Sequence, residues 1–534
     1  PATLIRGGGT SMLKYLIKRV LYGIGAICVV VAIVMVMIYS MLDRSQVFAG
    51  DAVYPKTASN ARVVYCNTKW EEYGYLDYVS YQEYVQQLAR SGEIDEATAS
   101  AAAVLGRKPE DDSAETAELT ARFEEEYRSK GYQVQRLNAD VNKRGKLKNG
   151  GQQAMFAVKD RPLTSRLWEY FTGLIDVDNI HYVEEDIGER GITFTLRDPL
   201  AEGKFSPAIM GNGTRHKYLL YFDSKFPFIH QNIATICLGQ SYTVNTGVDV
   251  FDTMTRSQGS YVLRPTTYPT GHAENSADDL HSATYQAGSR ESSQIYADRF
   301  TDDYTVTTTV RAGLSKMGYS FSIGIIATIL AYLLGMPIGV AMALKKDKLL
   351  DKIGNVYIVF IIAVPSLAYI FLFKAIGGSV FHLPTTFDIE SPSKLIYILP
   401  IISLALPQIA SLMKWLRRYM IDQMNSDYVK FARSNGLTEG EIFSKHILKN
   451  AAIPIVHGIP GTILYAMTGA IITERVYVVP GAGNLLTEAI AKYDNGVIVG
   501  VTLFYAVLSV VSIILGDLLM AAVDPRISFT SKGR

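Results

Sequence analysis

The 534 residues are 48% hydrophobic and carry 52 basic against 51 acidic side chains, for a formal net charge of +1. That balance excludes nucleic acid as an electrostatically recruited partner. The average hides a split between a polar stretch, from about Asp43 to Val310, and two strongly apolar flanks.

In chain order, "PATLIRGGGTS" (1–11) precedes Met12 and is set aside as a tail foreign to the fold. "MLKYLIKRVLYG" then leads into the apolar run Ile24–Leu42. This run is too long for a signal peptide and lacks a small-residue cleavage site, so residues 12–42 read as an uncleaved first transmembrane helix. Five further runs follow: Tyr319–Leu344, Ile353–Ile376, Leu395–Met413, Ile453–Ile472 and Val497–Val523. About 20 apolar residues are what a helix needs to cross a bilayer. None of the six shows the polar face that a surface helix of a soluble protein would carry.

Basic residues beside spans mark the cytoplasmic side. Lys14, Lys18 and Arg19 precede the first span, and Lys345, Lys346, Lys348 and Lys352 follow the second. Lys414, Arg417, Arg418, Lys430, Arg433, Lys445 and Lys449 follow the fourth, and Arg526 the sixth. With six spans all four clusters fall on one face. Both termini are then inside, and the 43–310 insert and the loops 377–394 and 474–495 are outside.

The insert is long enough for one or two domains with their own core. "AETAELTARFEEEYRS" puts Leu119, Phe123 and Tyr127 on one helical stripe, and "ITFTL" (Ile192–Leu196) alternates as a strand does. The polar stretch 275–294 reads as a mobile loop. Cys66 and Cys237 share the oxidising side, which leaves two readings open: a disulfide worth roughly 5 kcal/mol in the chain-entropy model, or two buried thiols.

The chain lacks a GxxxxGK[ST] phosphate loop, HExxH, a CxxC pair and a GxSxG elbow, so no catalytic residue is assigned. His272, Asp278, Asp279 and His281 in "HAENSADDLH" have no recognised ligand spacing, and no metal is assigned. Asp517, in the last span, reads as a structural ion pair near Arg526 rather than a proton relay. Pro365, Pro400, Pro407, Pro454 and Pro460 interrupt spans three to five, as in bundles that form a pathway.

"YVKFARSNGLTEGEIFSKHILKNAAIP" (Tyr428–Pro454) reads as two short helices. Gly436 permits a left-handed C-terminal turn, and Thr438 with Glu441 has capping-box spacing. Ile442, Phe443 and Ile447 make an apolar ridge between Lys445 and Lys449. Three uses fit: lying on anionic lipid, packing under its own spans, or docking into a partner's groove.

The same stretch resembles the cytoplasmic motif of binding-protein-dependent ABC importer permeases, in the version of the dipeptide and oligopeptide subfamily. The matching residues are "YVKFARSNGL", His446, Asn450-Ala451 and Pro454. "LGQSYTVNTGVDVF" (238–251), "ERVYVVPGAGNLLTEAI" (474–490) and "DPR" (524–526) resemble further family segments in family order. With an outside loop expanded by roughly 190 residues before Leu238, the whole is similar to the enlarged oligopeptide permease subunits of streptococci and their relatives.

The resemblance implies an α-helical polytopic membrane protein of the ABC type I importer permease fold. It would have six transmembrane helices and a mixed α/β extracellular domain inserted between the first two. The implied layout is an insert over 43–310, a five-helix core over 315–526, coupling helices at 422–452 and a tail at 527–534. It also implies ATPase-coupling roles for Tyr428, Val429, Ala432, Arg433, Gly436, Leu437, Glu441, Phe443 and His446. Pathway or gate candidates are Pro365, Ser366, Glu474, Pro480, Gly481 and Gly483.

The implied partners are a homologous second permease, two cytoplasmic ABC ATPase subunits, an extracellular peptide-binding lipoprotein, oligopeptide and membrane lipid. ATP and Mg would be used by the ATPase subunits, and this chain would bind no cofactor and catalyse no reaction. A receptor with an outside sensory domain fits less well, because no cytoplasmic segment exceeds about 40 residues. A secondary transporter would want inverted repeats and several intramembrane charges.

Overall fold

The computed structural model describes residues 5–41, 43–57, 59–106, 108–138, 154–201, 205–223 and 228–523. Residues 1–4, Leu42, the "DPR" ending with Arg526, and the 527–534 tail lie outside the described residues.

Helix α1 (Ile5–Met41) continues upstream of Met12, so residues 5–11 share the helix of the first span. The insert begins with α2 (Ser59–Glu72), β1 (Leu76–Ser80), α3 (Tyr81–Arg90), α4 (Glu96–Ala102), α5 (Ala114–Ser129), β2 (Gln133–Leu137) and β3 (Ala154–Asp160). The strands form an antiparallel sheet in the order β1-β3-β2. Successive side chains of a strand point to opposite faces. Met155 and Ala157 therefore meet α3 and α5 at Tyr81, Val85, Leu119, Phe123 and Tyr127, while Phe156 meets Leu76, Tyr78 and Trp70 on the other face. The stripe expected on α5 is buried at all three positions.

The insert continues through α6 (Leu163–Thr172), β4 (Ile175–Val177), β5 (Gly191–Thr195), β6 (Ala208–Asn212), β7 (Tyr218–Phe222), β8 (Ile229–Gln231), β9 (Ala234–Ile236) and α7 (Val250–Thr255). It ends with β10 (Arg264–Thr267), β11 (Ala273–Ser276), β12 (Ala283–Tyr285), α8 (Ser289–Ser292), α9 (Gln294–Arg299) and β13 (Tyr304–Val306). Strands β5 to β8 form a four-stranded antiparallel meander.

One expectation for the insert changes, and the choice left open at the two cysteines falls to free thiols. Residues 275–294 are not a loose loop: they contain parts of β11 and β12, and His281 Nε2 lies 2.6 Å from the buried Asp198 carboxylate and stacks on Tyr221. His272 faces Glu274 instead, so the two histidines serve different pairs. Cys66 and Cys237 are both free thiols. Cys66 packs beside the Phe48–Tyr73–Tyr75–Tyr242 cluster, whereas Cys237 is held through its N–H to Leu174. Burial pushes both thiols up from their ordinary range.

The apolar part comprises α10 (Lys316–Leu344), α11 (Leu349–Ala363), α12 (Ser366–Ser379), α13 (Ile398–Met424), α14 (Asp427–Ser434), α15 (Glu439–Glu441), a π-helical turn (Ile442–Leu448), α16 (Lys449–His457), α17 (Ile459–Tyr477), α18 (Ala482–Ala491) and α19 (Asn495–Val523). Among the described residues four helices are long and apolar enough to cross a membrane, within α1, α10, α13 and α19. The bent pair α11–α12 passes the same test only when its two helices are taken together.

The expected third span is thus two helices meeting at 114°. Val364 is extended because the ring of Pro365 disfavours helical backbone at the residue before it. The expected fifth span is likewise divided at Gly458, with Pro460 in the first turn of α17.

One core joins α10, α11, α12, α13, the elbow and α17. At Gly335 and Gly339 an added Cβ would press on Ile409, Leu412 and Met413, so small residues set the close α10–α13 approach. A second core joins α1, α7, α18 and α19. Between α1 and α19, Arg19 Nε lies 3.2 Å from Asp517 and Tyr15 donates to the same carboxylate at 2.7 Å. The acid in the last span is therefore an ion pair, with α1 as its partner.

Candidate coupling elbow and pathway mouth

The Tyr428–Pro454 stretch folds as two helical pieces set by local chemistry. Leu437 N–H donates to Ala432 O and Gly436 N–H to Arg433 O, the paired bonds of a Schellman ending. Gly436 has φ +82°, a conformation few L-residues adopt, and an added Cβ would meet open space. Thr438 and Glu441 form a complete capping box. Arg433 spans the turn with two bonds to Glu439, at 2.6 and 3.1 Å. Tyr428 ties the pieces together: its hydroxyl accepts from Asn450 Nδ2 at 3.0 Å and donates to Gln423 Oε1 at the end of α13.

The expected ridge is not free for a partner. Ile442 and Ile447 are buried in the chain's own core with Val429 and Ala432, and Phe443 and Leu437 pack partly against it. The five-residue spacing of Ile442 and Ile447 puts both on one side of a wide π turn. Pieces this short are not stable alone and must bury a face. What remains outside is Phe431, 67% exposed, and Tyr428, Arg433, Gly436, Glu439 and Lys445 are exposed on the elbow as well. Phe431 was not among the expected coupling residues. Its signal was helical phase: Val429 and Ala432 share one face of α14, which sends Phe431 to the other.

At the opposite end of the bundle the gate candidates separate. Glu474, Pro480, Gly481 and Gly483 form one knot. The buried Glu474 carboxylate accepts from Ser320 Oγ at 2.5 Å and Asn484 N–H at 3.0 Å, and Ser320 Oγ takes Ala482 N–H at 2.9 Å. A Cβ at Gly481 would collide with this carboxylate, so the backbone approaches it as only glycine allows. Gln258 of the insert donates to Pro480 O at 3.1 Å. Pro365 and Ser366 instead form the α11–α12 bend.

Asp494, which no motif singled out, is the strongest link between insert and bundle. It is fully buried and accepts the N–H groups of Tyr242 (3.0 Å), Thr243 (2.8 Å) and Val244 (2.9 Å) and the Ser241 hydroxyl (2.7 Å). It also caps α19 through Val497 N–H at 3.2 Å. Gly496 leaves no room for a Cβ against Gln240 O. Ser260 adds a second link, with its N–H and hydroxyl each 2.8 Å from Glu390. The segment 238–251 and the loops 377–394 and 474–495 thus meet at one end of the molecule, away from the elbow.

Comparison with known proteins bears on this arrangement. Residues 335–529, which include α11 to α19, match the model of the binding-protein-dependent transport system inner membrane component. The oligopeptide transport system permease protein AmiC of Streptococcus pneumoniae is 33% identical over 529 residues, covering 98% of this chain and 100% of the relative. The dipeptide permease DppB of Bacillus subtilis is 30% identical over 40% of this chain and 69% of its own. The oligopeptide permease AppB of the same species is 30% identical over 40% and 71%. With a relative alike along its full length, insert included, this chain belongs to the family of binding-protein-dependent transport system inner membrane components.

Proposed function

We propose that this chain is one of two homologous membrane-spanning subunits of an ATP-driven oligopeptide importer. It forms half of the translocation path. Two cytoplasmic ATPase subunits hydrolyse ATP with Mg, and this chain itself is non-catalytic. The likeness to AmiC over its whole length supports the substrate class.

The observation that carries the coupling role is the elbow. Its own bundle consumes Val429, Ala432, Ile442 and Ile447, and still an aromatic stands exposed at Phe431 beside Tyr428. An apolar tip held on a braced turn suits a groove in a partner. Tyr428 lies one turn before Phe431 on α14, and Arg433, Gly436 and Glu441 hold the turn that follows. Val429, Ala432, Leu437, Phe443 and His446 position it from behind.

Six crossings follow when the bent pair and the divided α16–α17 each count as one. The Lys/Arg clusters then put both termini and the elbow in the cytoplasm. The 43–310 insert lies outside, over the path's mouth, where a peptide-binding lipoprotein delivers substrate. Its links to Asp494, Glu390 and Pro480 support that position. Exposed Ile192 and Phe194 on β5 offer the lipoprotein an apolar face.

The test is purification of the full chain from its native membrane, with identification of what comes with it. A second permease, ATPase subunits and a lipoprotein are expected. Phe431→Asp should keep the second permease and lose the ATPases. Recovery with a signalling kinase, or ATPase retention by Phe431→Asp, overturns the reading.

A further inference from the structure

At the elbow end of the bundle, a cleft of about 330 Å³ opens between the 345–348 turn with the start of α11 and the end of α13. Lys346, Lys414, Arg417 and Arg418 line it, with Asn355 and Asp422. Arg417 is fixed by a two-point pair with the buried Asp351, at 2.6 and 2.7 Å. That carboxylate also accepts from Asp347 N–H and Asn355 Nδ2, so the wall of the cleft is rigid. Among the described residues no carboxylate pairs with Lys346, Lys414 or Arg418. Positive charge is gathered here beyond what the fold neutralises.

Two neighbouring features say what would neutralise it. Trp415 stacks on Tyr419 at 5.7 Å and lies beneath Lys414 and Arg418, at 5.4 and 5.6 Å. Such aromatics mark the level of lipid headgroups on a membrane helix. On α11, one and two turns beyond the cleft-lining Asn355 and on its face, Val359 and Ile362 are exposed, at 63% and 61%. A ligand seated here has a basic pocket for one end and a lipid-facing apolar strip for the other. Basic pockets between membrane helices suit phosphate-bearing headgroups.

We propose that this cleft binds the phosphate of an anionic phospholipid, with Lys346, Lys414 and Arg418 as ligands, Arg417 as the fixed wall and Trp415 at headgroup level. The lipid bridges α11 and α13 just after the 345–348 turn. The inference rests on membrane embedding of these helices, not on the identity of the transported substrate.

The test uses the full chain in neutral detergent, offered equal amounts of dioleoyl phosphatidylglycerol and dioleoyl phosphatidylcholine, with retained lipid read by native mass spectrometry. Phosphatidylglycerol should be retained in preference by about tenfold or more. Combined Lys346→Gln, Lys414→Gln and Arg418→Gln should erase that preference without changing phosphatidylcholine retention. The charge-keeping set Lys346→Arg, Lys414→Arg and Arg418→Lys should preserve it, which decides the matter should the glutamine set not fold. Equal retention of both lipids by the unsubstituted chain overturns the proposal, as does an unchanged preference in a folded glutamine variant. Inorganic phosphate is the competing source of the same chemistry: full displacement of phosphatidylglycerol by phosphate at equal concentration overturns the lipid assignment.

Discussion

Asp494→Ala should release the insert from the N-terminal end of α19. The carboxylate is the acceptor for three consecutive loop N–H groups at 2.8 to 3.0 Å and for the Ser241 hydroxyl, all against the start of α19. Each buried donor left without a partner costs about 1–3 kcal/mol, and the lost cap of α19 about 1 kcal/mol more. Water entering the opened site returns part of this, so the local loss is on the order of 3 kcal/mol, or about a hundredfold in opening equilibrium. Hydrogen exchange of the full chain in micelles should show the Tyr242–Val244 amides exchanging about a hundredfold faster. The β3 amides, on a separate core, should be unchanged. Asp494→Asn, which keeps one acceptor oxygen, should fall between. On the proposed placement of the insert over the pathway, peptide uptake should drop while the chain stays in the membrane. Unchanged protection at 242–244 refutes the clasp, and equal acceleration across the insert means the residue serves global stability instead.

At the elbow, Gly436→Val places a β-branched residue at φ +82°, costing roughly 1–2 kcal/mol in backbone conformation. The subunit should insert and pair with its permease partner but lose ATPase association and ATP-driven uptake. Charge reversal at Lys445 and Lys449 should matter less, and the opposite order would point to lipid contact. Lys348→Cys should resist an impermeant thiol reagent on intact cells and react after permeabilisation; strong labelling of intact cells would sink the topology. In the insert, burial alone would raise the Asp112 carboxyl, but bonds from Arg136 and Gly106 N–H and the arginine charge hold it below its ordinary 3.8. A depressed folded value stabilises the fold above the unfolded value and stops doing so as pH falls through the folded one. The thermal stability of the insert should therefore fall off below about pH 4, and Asp112→Asn should show lower stability at pH 7 with a shallower acid slope; an identical slope would show that other groups carry it.

The sequence by itself determined whatever depends on neighbours a few residues away. The apolar runs marked α1, α10, α13 and α19. Gly436 and the Thr438–Glu441 pair marked the turn and cap of the elbow, and the Leu119–Phe123–Tyr127 stripe marked the buried side of α5. Pro365 showed a break, but not that the halves would meet at 114°. For β5, alternation gave the strand but not its surroundings, since Ile192 and Phe194 remain exposed. Tertiary structure alone decided the rest. Asp494 meets Ser241 across 253 positions, Ser320 meets Glu474 across 154, and Tyr15 meets Asp517 across 502. A single sequence has no local period or motif for such pairs, because what selects them is a buried carboxylate's need for donors wherever the folded chain brings them. The same holds for the elbow's ridge. Its apolar residues were legible, but whether they face a partner or the chain's own helices depended on where the bundle had surface left to cover.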